Sequence, residues 1–236
     1  MKTIILFALI FSISLGDAQD IHSFTHSADT FFKKYVDNGS VDYASIEKNG
    51  ASIQSLYKTI GIISLKGQND NTRKAFFINA YNLIVIHSII EKYPVKSPMD
   101  IAGFFDKKTH RVAGEELTLN GLEKEKLLDT YKDARFHFVL VCAAKSCPQL
   151  MSEAYIPDQV EKQLAERTKL TINDNEWLKV SSSKQTAEVS KIFEWYSGDF
   201  TNNGKTLLTW INNYRDIKIP SSYKVSYYEY DWALND

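Results

Sequence analysis

The segment from Arg73 to Tyr93, RKAFFINAYNLIVIHSIIEKY, carries apolar side chains at almost every angle around a helical axis. A helix without a polar face is buried on most sides, so the rest of the chain must be built around this one. Its apolar window falls short of the roughly 20 residues that a bilayer core requires, which makes it a core helix and not a membrane span. Asn79, Asn82, His87 and Ser88 interrupt the apolar run. Asn79 and Asn82, three positions apart, share one helical face. An unsatisfied buried amide costs about 1–3 kcal/mol, so both need specific partners. They are read either as structural clamps, for example on the backbone of the cysteine segment below, or as substrate-orienting groups.

The flanking segments supply further helices and a few strands. FTHSADTFFKKYVDNGSVDY reads as a helix closed by a turn at Asp37-Asn38-Gly39, and YASIEKNGASIQSLYKTI as one or two shorter helical pieces. Pro94 and Pro98 stop the apolar helix. HRVAGEELTL reads as a hairpin with Gly114 in its turn. NGLEKEKLL reads as a helix with Asn120 as N-cap and Glu123 as its capping-box partner. RFHFVLVC reads as a buried strand. IPDQVEKQLAERTKL is an amphipathic helix with Pro157 in its first turn. VSKIFEWYSGDF and GKTLLTWINNYR add two helices, SSSK is a loop, and YKVSYYEYDW is a terminal strand or extended segment. Many helices and few strands, without regular alternation, predict an α+β domain, mainly helical with a small, mostly antiparallel sheet. A papain-like or transglutaminase-like arrangement is the version compatible with a thiol mechanism.

The first residues, MKTIILFALIFSISLGDAQ, place one lysine before a short apolar core and then small residues, the pattern of a secretory signal peptide over residues 1–18. Residues 19–236 then form one domain, exported to the periplasm or secreted, with no transmembrane span after cleavage. The 28 Lys and Arg balance 29 Asp and Glu, for a net charge of -1. That balance, with no basic run, gives no support for nucleic acid as a partner.

Cys142 and Cys147 in VCAAKSCPQL are the two cysteines of the chain. Pro148 suits the first position of a helix, which would place Cys147 at a helix start where a thiolate is stabilised, with Lys145 close by. Cys142 reads as a small buried hydrophobe at the strand end. A disulfide competes with both readings in an exported protein. It needs the two Cα atoms within roughly 7 Å, whereas five extended steps span about 16 Å. The Ala-Ala-Lys-Ser segment would have to turn back without Gly or Pro.

If Cys147 is a nucleophile, His137 or His87 is its base, and Asn79, Asn82, Lys145 and Ser146 are the substrate-binding candidates. Strand alternation would set His137 and Cys142 on opposite faces. His110, in the polar KKTHR stretch, is expected at the surface. Asp199 and Asp231 either cap helices or orient a histidine. No metal site is expected, because Cys142, Cys147 and His137 have unsuitable spacing, and no cofactor motif is present.

Five ordered blocks, AFFINAYNLIVIHSII, LTLNGLEKEKLL, RFHFVLVCAAKSCPQL, IFEWYSGDF and YYEYDWALN, resemble the domain-of-unknown-function 547 family over about Val41 to Asn235. The resemblance implies a family of exported bacterial proteins, with some plant and animal members, that has no agreed biochemical activity. This chain has Phe77 where the family usually has Trp, Ala143 where it has Gly, and Lys124 where it has His after the Glu. The resulting expectation is a binding module whose cysteine-loop cleft takes a small molecule or peptide. The alternative is a cysteine-dependent hydrolase or acyltransferase.

Overall fold

The structure is a computed structural model and describes residues 15–236. The signal peptide expected over residues 1–18 falls mostly outside the described residues. The first helix, α1 (Leu15–Tyr35), leads into a two-stranded hairpin, β1 (Val36–Asp37) and β2 (Ser40–Val41). Asn38 and Gly39 form its turn, both at positive φ, as a tight hairpin requires. Gly39 has a second constraint: a Cβ there would lie 2.9 Å from the Gln149 side chain. Helices α2 (Tyr43–Lys48) and α3 (Ala51–Ile62) follow.

The apolar segment forms α4 (Asp70–Ile90), capped by Asn69, whose side chain accepts from the Thr72 amide. Every residue from Ala75 to Ile89 is buried. The earlier helices pack against it, as do two later ones, α5 (Leu119–Glu123) and α7 (Val160–Asn173). Between α4 and α5 lies a hairpin, β3 (Thr109–Val112) and β4 (Glu115–Thr118), with Ala113 and Gly114 in its turn. The turn amides donate to Ile60 and Gly61 at the end of α3, at 2.8 and 3.0 Å.

This docking overturns the surface placement of His110. Alternation along β3 turns His110 and Val112 inward, and His110 is 1% exposed. Its Nδ1 lies 2.9 Å from the Tyr57 hydroxyl. The Tyr57 ring in turn stacks on His87, with centroids 3.8 Å apart.

Two further expectations are corrected. The α5 cap is Thr118, whose hydroxyl accepts from the Gly121 amide at 3.0 Å, and not Asn120. After α5 come a π-helical stretch, Lys124–Leu128, and the short α6 (Asp129–Tyr131). RFHFVLVC is not a strand: Ala134–Phe138 is a 3-10 helix. Asp133 caps it by accepting from the Arg135 amide, and the Arg135 guanidinium pairs with Asp133 and with Glu161 of α7. The residues after it have no neighbouring strand. The carboxamide of Asn82 serves them instead, donating to Val139 O and accepting from Val141 N, each at 2.9 Å. Asn79 does the same for Tyr155, at 2.8 and 2.9 Å.

Beyond α7, β5 (Leu178–Ser181) pairs antiparallel with β6 (Thr186–Val189) through the SSSK loop, and β7 (Lys224–Tyr227) adds parallel to β6. Three short helices, α8 (Ile192–Trp195), α9 (Ser197–Thr201) and α10 (Leu207–Asn212), lie between β6 and β7. Their aromatic residues Phe193, Phe200 and Trp210 pack on Phe138 of the 3-10 helix. The α+β expectation therefore holds, with helices predominating over small sheets. No helix of the described residues is long and apolar enough to cross a membrane.

Replacing Asn82 by Ala strands a buried carbonyl and a buried amide; it should destabilise the protein by about 3 kcal/mol in urea denaturation. Burial pushes the pKa of His110 down to about 4, with Lys108 adding to the effect and Glu91 opposing it. The unfolded state therefore binds a proton that the native state excludes. Stability should be full above about pH 6.5 and fall by about 1–2 kcal/mol towards pH 5. His110→Gln should flatten that slope.

Candidate functional site

The topology of the last sheet gathers the side chains of one cleft. Because β6 and β7 are parallel, the segments that follow them leave the sheet at the same end, joined where the Tyr228 amide donates to Val189 O at 3.2 Å. The segment after β6 carries Trp195 and Tyr196, and the one after β7 carries Tyr230 and Trp232. Trp195 stacks on Trp232 with centroids 5.9 Å apart, and Tyr230 packs on both at 5.0 and 4.7 Å. These rings, with Phe105, form the mouth of a cavity of about 270 Å³.

Beside the apolar Tyr81 ring, Leu140 and Ile192, polar side chains make up another wall of this cavity. Glu123 projects from the end of α5 and is buried. Its pKa is raised by burial, an effect offset in part by the nearby His137 and by the Tyr196 hydroxyl. Tyr81, from α4, lines the cavity beside Glu123. His137 places its Nε2 2.7 Å from Asp199 Oδ2. That hydrogen bond is the main reason the Asp199 pKa is lowered. Asp199 thereby fixes the orientation of the His137 ring through its Nε2 edge. The wall thus offers a buried carboxyl whose pKa is raised, a histidine oriented by Asp199, and the Asn120 side chain that capping does not use.

Cys142 and Cys147 complete the wall, and they are joined by a disulfide with Cα atoms 6.3 Å apart. The loop turns back on itself at Ala143, with φ of +61°. Glycine is the residue that adopts such a conformation most readily, and Ala143 adopts it here without that freedom. The C-terminal residues hold the loop. Lys145 N donates to Ala233 O at 2.8 Å, Ser146 N donates to Asp231 O at 3.1 Å, and Asn235 N donates to Ala143 O at 3.2 Å. The Ser146 hydroxyl accepts from Asp231 N at 2.8 Å. The Tyr230 hydroxyl lies 3.2 Å from both sulfurs, and the Cys142 amide donates to Cys147 Sγ at 3.0 Å.

The structure brings some of the expected site residues together and separates others. His137 and Cys147 line the same cavity, because the 3-10 helix does not impose strand alternation. His87 is buried against Tyr57 and lines no part of it. Asn79 and Asn82 are occupied by backbone and do not line the cavity either. Lys145 and Ser146 border a separate hollow behind the disulfide, beside Arg167 and Trp177. Asp199 orients a histidine, whereas Asp231 caps the turn at Ala233.

Residues 65–170 match the family described as "Protein of unknown function, DUF547". The stretch 65–170 is similar to DUF547. No curated protein and no solved structure matches the chain. The DUF547 match takes in α4, Glu123, His137 and both cysteines, while the aromatic mouth and Asp199 come from the segments beyond it. Lys124, expected from the resemblance to stand where the family has a histidine, is exposed and does not line the cavity.

Glu123 was legible in the sequence only as a capping partner, and Tyr230 and Trp232 only as members of an aromatic run. Among the described residues no three His, Cys, Asp or Glu side chains converge as a metal site. Hollows larger than the cleft exist, one of about 810 Å³ that is a surface groove of mixed charge, with Lys126 paired to Glu115.

The disulfide closes a short ring in a loop that hydrogen bonds already hold. The Cys142→Ala/Cys147→Ala variant should therefore fold and lose no more than about 2 kcal/mol in denaturant titration.

Proposed function

We propose that this chain is an exported binding module whose aromatic cleft takes a small molecule with a flat apolar ring and one polar end. The observation that carries the reading is the division of the cavity into a ring-lined mouth and a polar wall of Glu123, His137 and Asn120. Pockets of this kind bind through apolar contact and are oriented by a few polar groups. Trp195 is 46% exposed although it is large and apolar, as expected of a residue that a ligand covers. The volume lies just under the roughly 300–1,000 Å³ of pockets for drug-sized ligands, which suits a compact ring compound. Export accords with the signal-peptide pattern of residues 1–18 and with bonded cysteines. Acyl transfer by Cys147, the alternative, requires a thiolate, which a bonded sulfur does not supply until the bond is opened.

Benzyl alcohol and benzamide are suitable probes, measured by ligand-observed NMR. A Kd of about 1 mM or tighter is expected for such small compounds. Trp195→Ala should weaken binding about tenfold. A library of ring compounds that shows no saturable binding, or binding indifferent to Trp195→Ala, would sink the proposal.

A further inference from the structure

We infer that the Cys142–Cys147 disulfide is a thiol-exchange site, opened by a small thiol that enters the aromatic cleft. The inference rests on the ligand-binding reading, because the thiol must occupy the same cavity.

Three features of the loop support it. First, both cysteines line the cavity, and they are unequally reachable: Cys147 is buried at 7% exposure, whereas Cys142 is half-buried. Attack is therefore directed at the Cys142 sulfur. Second, Cys147 Sγ already accepts from the Cys142 amide at 3.0 Å, and the Tyr230 hydroxyl, 3.2 Å from both sulfurs, can turn its proton to it. A sulfur is a weak acceptor, and these donors gain most when it becomes a thiolate. Donors aimed in advance at a developing charge lower the barrier, and a better-stabilised leaving thiolate departs faster. Tyr230 is suited to this role, since burial raises its pKa and keeps the hydroxyl protonated. Third, the loop does not need the bond to keep its shape. Ala143, Lys145 and Ser146 are bonded to Asp231, Ala233 and Asn235 independently of the sulfurs. Opening the disulfide leaves the two sulfurs close and the cavity intact.

The step balances as an exchange. A thiol loses its proton to water, and its thiolate forms a new S–S bond to Cys142 Sγ. The Cys142–Cys147 bond breaks, and its electron pair leaves on Cys147 as a thiolate bonded to the Cys142 amide and the Tyr230 hydroxyl. A second thiolate attacking the mixed disulfide at the small molecule's sulfur releases Cys142 and yields the small-molecule disulfide. The protein is then reduced by two electrons, and two thiols are oxidised.

The test uses the full oxidised chain with benzyl mercaptan, whose ring matches the cleft, and with 2-mercaptoethanol, which has none. Samples are quenched with acid, alkylated and read by peptide mass spectrometry. The expected product carries benzyl mercaptan on Cys142 and the alkyl group on Cys147. Benzyl mercaptan should react about tenfold faster than 2-mercaptoethanol at equal thiolate concentration, and Tyr230→Phe should slow it about tenfold.

An adduct on Cys147, no ring preference, or an unchanged rate in Tyr230→Phe would each overturn the inference. If that variant fails to fold, the adduct position and ring preference of the wild type decide. Benzyl alcohol, which binds without reacting, separates the two proposals. Binding of the alcohol with no adduct from the thiol removes exchange and leaves the binding module standing. No binding of the alcohol and no competition with the thiol removes the ligand reading, and exchange falls with it.

Discussion

Asn82 is 1% exposed in the middle of α4, and its carboxamide takes both hydrogen-bonding groups of the backbone at Val139 and Val141. In an apolar interior such a pair of bonds is directional where packing is not, and leaving either group unmade is expensive. The rest of the site depends on it. Asn82 holds the chain in register between the 3-10 helix that carries His137 and the loop that carries the cysteines. Asn79, on the same face, holds Tyr155 in the same way. Two side chains of one helix thus perform, for two unpaired segments, what neighbouring strands would do in a sheet.

The cleft is assembled from several parts of the chain, the last of them more than a hundred residues from the first. α5 supplies Glu123, the 3-10 helix His137, the cysteine loop its disulfide, and the segments after β6 and β7 the aromatic mouth. Each part has its own local anchor: the Thr118 cap, the Arg135 ion pairs, the bonds to residues 231–235, and the parallel pairing of β6 with β7. A site anchored in this way is preorganised, so little ordering opposes entry of a ligand. The aromatic rings contribute contact area with few rotatable bonds, which suits recognition of a flat molecule.

Much of the secondary structure was legible because its signals are local. α4 announced itself by composition, the β3–β4 hairpin by its glycine turn, and α7 by periodicity and Pro157. RFHFVLVC was misread because an apolar run that looks like a strand has the same composition as a buried 3-10 helix followed by extended chain. Only the availability of a partner strand separates the two, and Asn82 made one unnecessary. His110 was misplaced because its sequence neighbours are polar, whereas burial is set by the face of β3 that docks on α3. Asn120 lost the capping role to Thr118 by two positions, and the shift brought Asn120 and Glu123 to the cleft.

The sequence by itself determined that a wholly apolar helix would be buried, that its two asparagines would need partners, and that helices would predominate over a small sheet. The resemblance it carries to the DUF547 family was equally legible. Only the tertiary structure decided that the cysteines meet, that Asp199 orients His137, and that Trp195, Tyr230 and Trp232 close over Glu123. Composition and periodicity report which side chains leave water. Which buried groups face one another depends on how segments tens of residues apart pack, and that information is in no local window of the chain.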